Sequence, residues 1–195
     1  KDIQEVLDLI KLVVEDTFQK EHILNEEELA IEIEFLCTSF ENSFNDDTNF
    51  YLIAIVDSKI IGLISYGNIN RIIKKSTDLD ANKTVEIKSA YIHPEFQNQG
   101  LGLRFKSEQY MSAYQSGTTV IRSRNRLPDA VSMAGLNQSL SAVMLKRDHH
   151  SYGGEGTAAY QSVTLSRNEP LLGPVSQYAG ALKNKTSLGN FVSET

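Results

Sequence analysis

Apolar residues recur at three- and four-residue steps over residues 2 to 18, where Ile3, Val6, Leu7, Ile10, Val13, Val14 and Phe18 share one face. Asp2, Glu5, Asp8 and Lys11 fall between them, so the pattern predicts an amphipathic helix. Asn25 followed by Glu26, Glu27 and Glu28 offers a side-chain cap and acidic residues suited to the positive end of a second helix, whose stripe runs Leu29, Ile33, Leu36, Cys37, Phe40 and Phe44. Residues 49 to 56 and 60 to 70 are β-rich and separated only by Asp57, Ser58 and Lys59, which predicts an antiparallel hairpin. Polar, turn-rich residues 71 to 83 follow, a loop that either faces a substrate or simply connects strands.

Residues 84 to 96 read as a strand that runs straight into Gln97-Asn98-Gln99-Gly100-Leu101-Gly102 and then into a helix ended by Ser116 and Gly117. Such a junction is an anion site. Glycine lets the backbone turn and a ligand approach closely, while the first N–H groups of the helix and its dipole point outward at negative charge. Residues 118 to 123 read as a buried strand, and residues 157 to 165 as a further β-prone run. After Pro170 the pattern weakens. Gly173, Pro174, Gly180 and Gly189 punctuate a polar tail, and the sequence leaves open whether it packs loosely, extends the sheet or joins a homodimer.

The strand ending in Ile92-His93-Pro94, the pattern Gln-x-x-Gly-x-Gly and the following helix together resemble the acyl-CoA signature of the GNAT superfamily of N-acetyltransferases. The resemblance covers roughly residues 1 to 150 and is most specific at the glycine stretch. It implies an α/β fold with a mixed, twisted sheet flanked by helices, and acetyl-CoA as acyl donor to an amine acceptor. By the same resemblance the diphosphate lies on Gln97, Asn98, Gln99, Gly100, Leu101 and Gly102, and pantetheine pairs with the main chain of Ala90, Tyr91 and Ile92. The strand at residues 118 to 123 would splay from the strand at 84 to 96 to admit the pantetheine arm.

Asn137 would open a helix running through Lys146 and contribute a further cofactor contact, with Asn125 as the alternative. Many members carry on that helix a Tyr that reprotonates the leaving thiolate; Met144 occupies the matching place here, leaving Tyr152, His149, His150 or solvent as the proton source. The chain does not begin with the short strand that usually precedes the first helix of this fold, so that strand is either missing or replaced by another segment.

An ammonium has no lone pair, so acetyl transfer to an amine needs a group to take a proton. Glu86 is the candidate base: its place on the strand resembles that of the catalytic Glu of histone-acetylating members, and apolar neighbours such as Val85 and Ile87 would raise its pKa on burial. Preorganised N–H donors along residues 90 to 92 would stabilise the oxyanion. Cys37 lies on the apolar stripe of its helix and reads as a structural thiol, which favours direct attack in a ternary complex over a covalent enzyme intermediate.

At 195 residues the chain has the length of one domain, and no internal repeat divides it. A net charge of −6 argues against a nucleic-acid partner, no apolar run is long enough for a membrane span, and the acidic first helix fits no leader peptide. With a single cysteine the expectation is a cytoplasmic protein without a disulfide. The histidines show no ligand spacing, so no metal is expected. A P-loop fails because no Gly-Lys-Ser/Thr follows the turn. A catalytically silent acyl-CoA-binding or regulatory module, supported by Met144, is the alternative to an enzyme.

Overall fold

The computed structural model describes residues 3–21, 24–68, 83–127, 143–151, 159–167 and 191–194. The first helix, α1, spans Ile3–Glu21, and the apolar stripe read from its periodicity is buried. The second, α2, spans Glu26–Phe44 behind a capping box in which the Asn25 side chain accepts from the Glu28 N–H and the Glu28 carboxylate accepts from the Asn25 N–H. Cys37 and Phe40 are buried against α1, whereas Phe44 is left partly exposed at the end of the stripe.

Strands β1 (Asn49–Val56) and β2 (Lys59–Asn68) form the expected hairpin. Asp57 and Ser58 both have positive φ, the backbone of a two-residue turn whose twist matches that of the strands. Strand β3 is Thr84–Ile92, antiparallel to β2. It stops short of residue 96 because Pro94 cannot donate to a sheet; Pro94–Phe96 instead forms a 3-10 turn in which the His93 ring accepts from the Glu95 N–H. Helix α3, Leu101–Gln115, crosses over to β4, Val120–Leu127, which runs parallel to β3.

Two more strands, β5 (Val143–Ser151) and β6 (Ala159–Arg167), pair antiparallel, and β7 (Phe191–Glu194) pairs with β1. The sheet order is β5-β6-β4-β3-β2-β1-β7, mixed because, among the described residues, the β3–β4 pairing is the parallel one. Residues 191–194 of the tail thus extend the sheet, one of the three placements open from sequence, and take its outer edge beside β1.

The predicted helix through Lys146 is corrected: residues 143 to 146 belong to β5, where Val143 lies opposite Ser166 and Met144 opposite Leu165. A short apolar run suits either state locally, and here pairing with β6 decides it.

Helices α1 and α2 cover one face of the sheet over Tyr51, Ile53, Ile60 and Leu63. Helix α3 covers the other. Leu101 and Phe105 pack there with Leu52, Ile64 and Ile92, and Tyr110 and Ala113 pack with Tyr66, Ile87 and Ile121.

Candidate active site

The site begins where β3 and β4 part. Their parallel pairing runs from Thr84 opposite Val120 to Ile87 opposite Ser123 and goes no further. Beyond that point β3 stays on β2, with Ser89, Ala90, Tyr91 and Ile92 opposite Ser65, Ile64, Leu63 and Gly62. Strand β4 stays on β6 through Leu127 opposite Gln161. A bulge between Ser65 and Tyr66, where Lys88 is the extra residue of β3, adds twist at the parting. The facing edges of the two strands therefore diverge, and main-chain groups of Ala90, Tyr91 and Ile92 line one side. Ala90 and Ile92 direct their side chains to the α3 face, while Tyr91 packs on the α1–α2 face.

At the end of β3 the turn to α3 is built by its own side chains. Gln97 Nε2 donates to the Ile92 carbonyl at 2.9 Å, and Gln99 Nε2 donates to the Glu95 carbonyl at 2.7 Å. Asn98 has φ 57° and Gly100 φ 83°, both left-handed, so Gly100 meets a backbone demand that a β-branched residue would resist. Gly100 caps α3 without any side-chain cap, and the first intrahelical donor is the Arg104 N–H, at 3.2 Å from the Gly100 carbonyl. The N–H groups of Leu101, Gly102 and Leu103 precede it in the first turn, the geometry of an anion-binding helix end. Gly102 lies inside that turn.

Glu86 lies on β3 just before the parting and is 5% exposed. Its neighbours Val85 and Ile87 pack toward α3, so Glu86 projects to the opposite face. Arg122 of β4 is its register partner and is equally buried. Burial pushes the Arg122 guanidinium below its usual pKa.

Asn125, the alternative cofactor contact, is buried on β4 with its Nδ2 donating to Ser123 Oγ at 3.1 Å. Asn137, Tyr152 and the loop at residues 71 to 82 lie outside the described residues. His149 and His150 are on β5 opposite Gln161 and Tyr160. Since Met144 is also on β5 rather than on a helix, it does not mark a lost helical acid and lends no support to a silent module. Cys37 is a buried free thiol with its pKa raised by burial, remote in character from a nucleophile. Lys106 was not legible from sequence. It is wholly buried on α3, its Nζ donates to Gln109 Oε1 at 3.4 Å, and Gln109 Nε2 donates to the Ser65 carbonyl at 2.8 Å.

The family model for the acetyltransferase (GNAT) family matches residues 9–105, which include the helix pair, the hairpin, β3 and the glycine turn. Residues 9–105 form a domain of the GNAT acetyltransferase family, and by that domain the protein is an N-acetyltransferase. No curated protein matches it significantly.

Its fold is shared with solved structures at low identity. A ribosomal-protein-alanine N-acetyltransferase from Brucella melitensis is 17% identical, with a TM-score of 0.59 over 86% of this chain and 96% of that one. The PaiA N-acetyltransferase from Thermoplasma acidophilum, solved in complex with coenzyme A, is 16% identical, with a TM-score of 0.56 over 83% and 91%. YncA from Salmonella typhimurium, solved with its cofactor acetyl-CoA, is 17% identical, with a TM-score of 0.50 over 80% and 77%. Among the described residues no helix is long and apolar enough to cross a membrane.

Proposed function

We propose that this GNAT protein moves the acetyl group of acetyl-CoA onto a primary amine by direct attack, with Glu86 taking the proton that the amine gives up. The observation that carries the reading is the divergence of β3 and β4 after Ile87 and Ser123, with Glu86 at one end and the uncapped α3 turn at Gly100 at the other. An extended thiol ester fits such an opening as a short added strand, with its diphosphate at the helix end.

The neutral amine nitrogen attacks the thioester carbonyl carbon, and its proton passes to the Glu86 carboxylate, directly or through one water. Main-chain N–H donors along residues 90 to 92 stabilise the oxyanion. When the C–S bond breaks, the thiolate leaves with its electron pair and takes up a proton, giving CoA and the N-acetyl amine. The buried thiol of Cys37 takes no part, and a single such thiol suits a reducing cytoplasm.

Measuring CoA release with a thiol reagent across a panel of primary amines tests the reading. Release that depends on the amine and yields its acetylated product supports it. Acetyl-CoA binding without release above hydrolysis for every amine would leave a silent acyl-CoA module instead.

A further inference from the structure

One level of the sheet aligns four residues: Asn49 of β1 opposite Gly67 of β2, Gly67 opposite Glu86 of β3, and Glu86 opposite Arg122 of β4. Register partners project to the same face. Here it is the face away from α3, because Val85, Ile87 and Ile121 pack with Tyr110 and Ala113 on the other side. The Asn49 carboxamide lies over Gly67, where an added Cβ would strike its Oδ1. That carboxamide is already engaged: Nδ2 donates to the Ser43 carbonyl at 2.7 Å, and Oδ1 accepts from the exposed Lys88 Nζ at 2.6 Å.

Arg122 is different. It is 5% exposed, and its buried Nε has no hydrogen-bond partner among the described residues. A buried guanidinium with an empty donor is costly, and the group that best matches its planar fork is a carboxylate. Arg122 stands one residue before β3 and β4 part, beside the candidate base.

Resting on the reading of Glu86 as base, we infer that Arg122 binds an anionic group of the acceptor, so that the acceptor is an amine carrying a carboxylate close to its nitrogen, as an α-amino acid does. Neighbouring strands lie about 4.8 Å apart. The nitrogen and carboxyl carbon of an α-amino acid are about 2.5 Å apart, so one small molecule spans both side chains. Its amine faces Glu86 and its carboxylate faces Arg122. The base and the anion site then read two groups of one substrate at once, which orients the nitrogen for attack.

The test uses acceptor pairs that differ only in the α-carboxylate: lysine and cadaverine, histidine and histamine, phenylalanine and phenethylamine. CoA release is measured for the parent, Arg122→Gln and Arg122→Lys, with acetyl-CoA affinity by calorimetry. The parent should favour the carboxylate-bearing member of at least one pair. Arg122→Gln should lower kcat/KM for that member roughly tenfold to hundredfold, mainly through KM, the scale of losing a charge-assisted hydrogen bond. The decarboxylated partner and acetyl-CoA affinity should stay nearly unchanged, and Arg122→Lys should recover only part of the loss because it lacks the fork.

Equal losses for both members of each pair, weakened acetyl-CoA binding, or a parental preference for the decarboxylated amines would each overturn the inference. So would a large drop in melting temperature for both variants, which would assign Arg122 to the fold. If no amine of either kind releases CoA, it is the acetyl-transfer reading that falls. Amine-dependent release without an Arg122-dependent carboxylate preference sinks the inference alone.

Discussion

Lys106 sits wholly inside the protein with Gln109 Oε1 at 3.4 Å as its hydrogen-bond partner, and burial brings its pKa from 10.5 down to about 7. Below pH 7 the amine is protonated in both folded and unfolded chains, and the folded state bears the full cost of a buried charge. Between pH 7 and 10.5 the folded state has shed the proton while the unfolded state still holds it, so stability rises with pH across that window; above it the effect is complete. Lys106→Met keeps an unbranched apolar stem and removes the charge. At pH 6 the variant should melt several degrees higher than the parent, given ~1.4 kcal/mol for each unit of pKa displacement. The gap should close toward pH 10. Melting curves at both pH values check this, and a lower melting temperature for the variant at pH 6 would mean the ammonium is stabilised in place.

Glu86 is another buried ionisable side chain, with a catalytic consequence under the proposed function. Glu86→Gln preserves shape and much of the hydrogen bonding but cannot accept a proton. Turnover at neutral pH should fall roughly 100-fold or more, the scale of general-base catalysis, with acetyl-CoA affinity little changed. Activity should recover as pH approaches the amine's own pKa, where free amine no longer needs the base. Parental turnover of the variant across the whole pH range would remove Glu86 from the mechanism.

Among the elements, the turn into α3 carries the sharpest consequence. Gly100 has φ 83° at an uncapped helix start, so Gly100→Val meets a steric penalty in the backbone and places methyl groups beside the N–H donors of Leu101 and Gly102. Acetyl-CoA affinity should fall at least tenfold, by the ~1–3 kcal/mol of backbone strain and lost donors. Calorimetry on the folded variant measures it directly, and unchanged affinity would move the diphosphate elsewhere.

This turn was legible because its signal is local: two glycines at fixed spacing between a strand and a helix. The α1 stripe and the Asn25–Glu28 capping box were legible for the same reason. The end of β3 was read too far along because Ile92-His93-Pro94 keeps β-prone residues up to the proline that stops the pairing. Residues 143 to 146 misled because their state depends on β6, a partner that no local pattern announces. Lys106, Ser107 and Gln109 escaped notice because buried polar residues break the stripe by which a helix shows its inner face.

At the scale of the whole molecule, the sheet itself makes the site. Glu86 could be named from sequence as a candidate base, but its place beside Arg122 rests on a register set by the α3 crossover, and the opening rests on β4 being held to β6 while β3 is held to β2. The same long-range order governs the opposite edge. Strand β7 covers β1 by pairing Phe191 with Ala54, Val192 with Ile53, Ser193 with Leu52 and Glu194 with Tyr51. All four β1 residues are buried and belong to the apolar core on the two faces of the sheet. A chain cut before residue 186 would expose an apolar strand edge with unpaired N–H and C=O groups, a template for pairing with another copy. Light scattering should therefore show the truncated protein at higher mass than the full chain at equal concentration, and its melting temperature should fall. Acetyl-CoA affinity should persist, because β3 and the Gly100 turn are separated from that edge by β1 and β2. A truncated protein of unchanged mass and melting temperature would show that β1 does not need the cover of β7. Loss of acetyl-CoA binding without any change in mass would mean instead that the tail acts on the site.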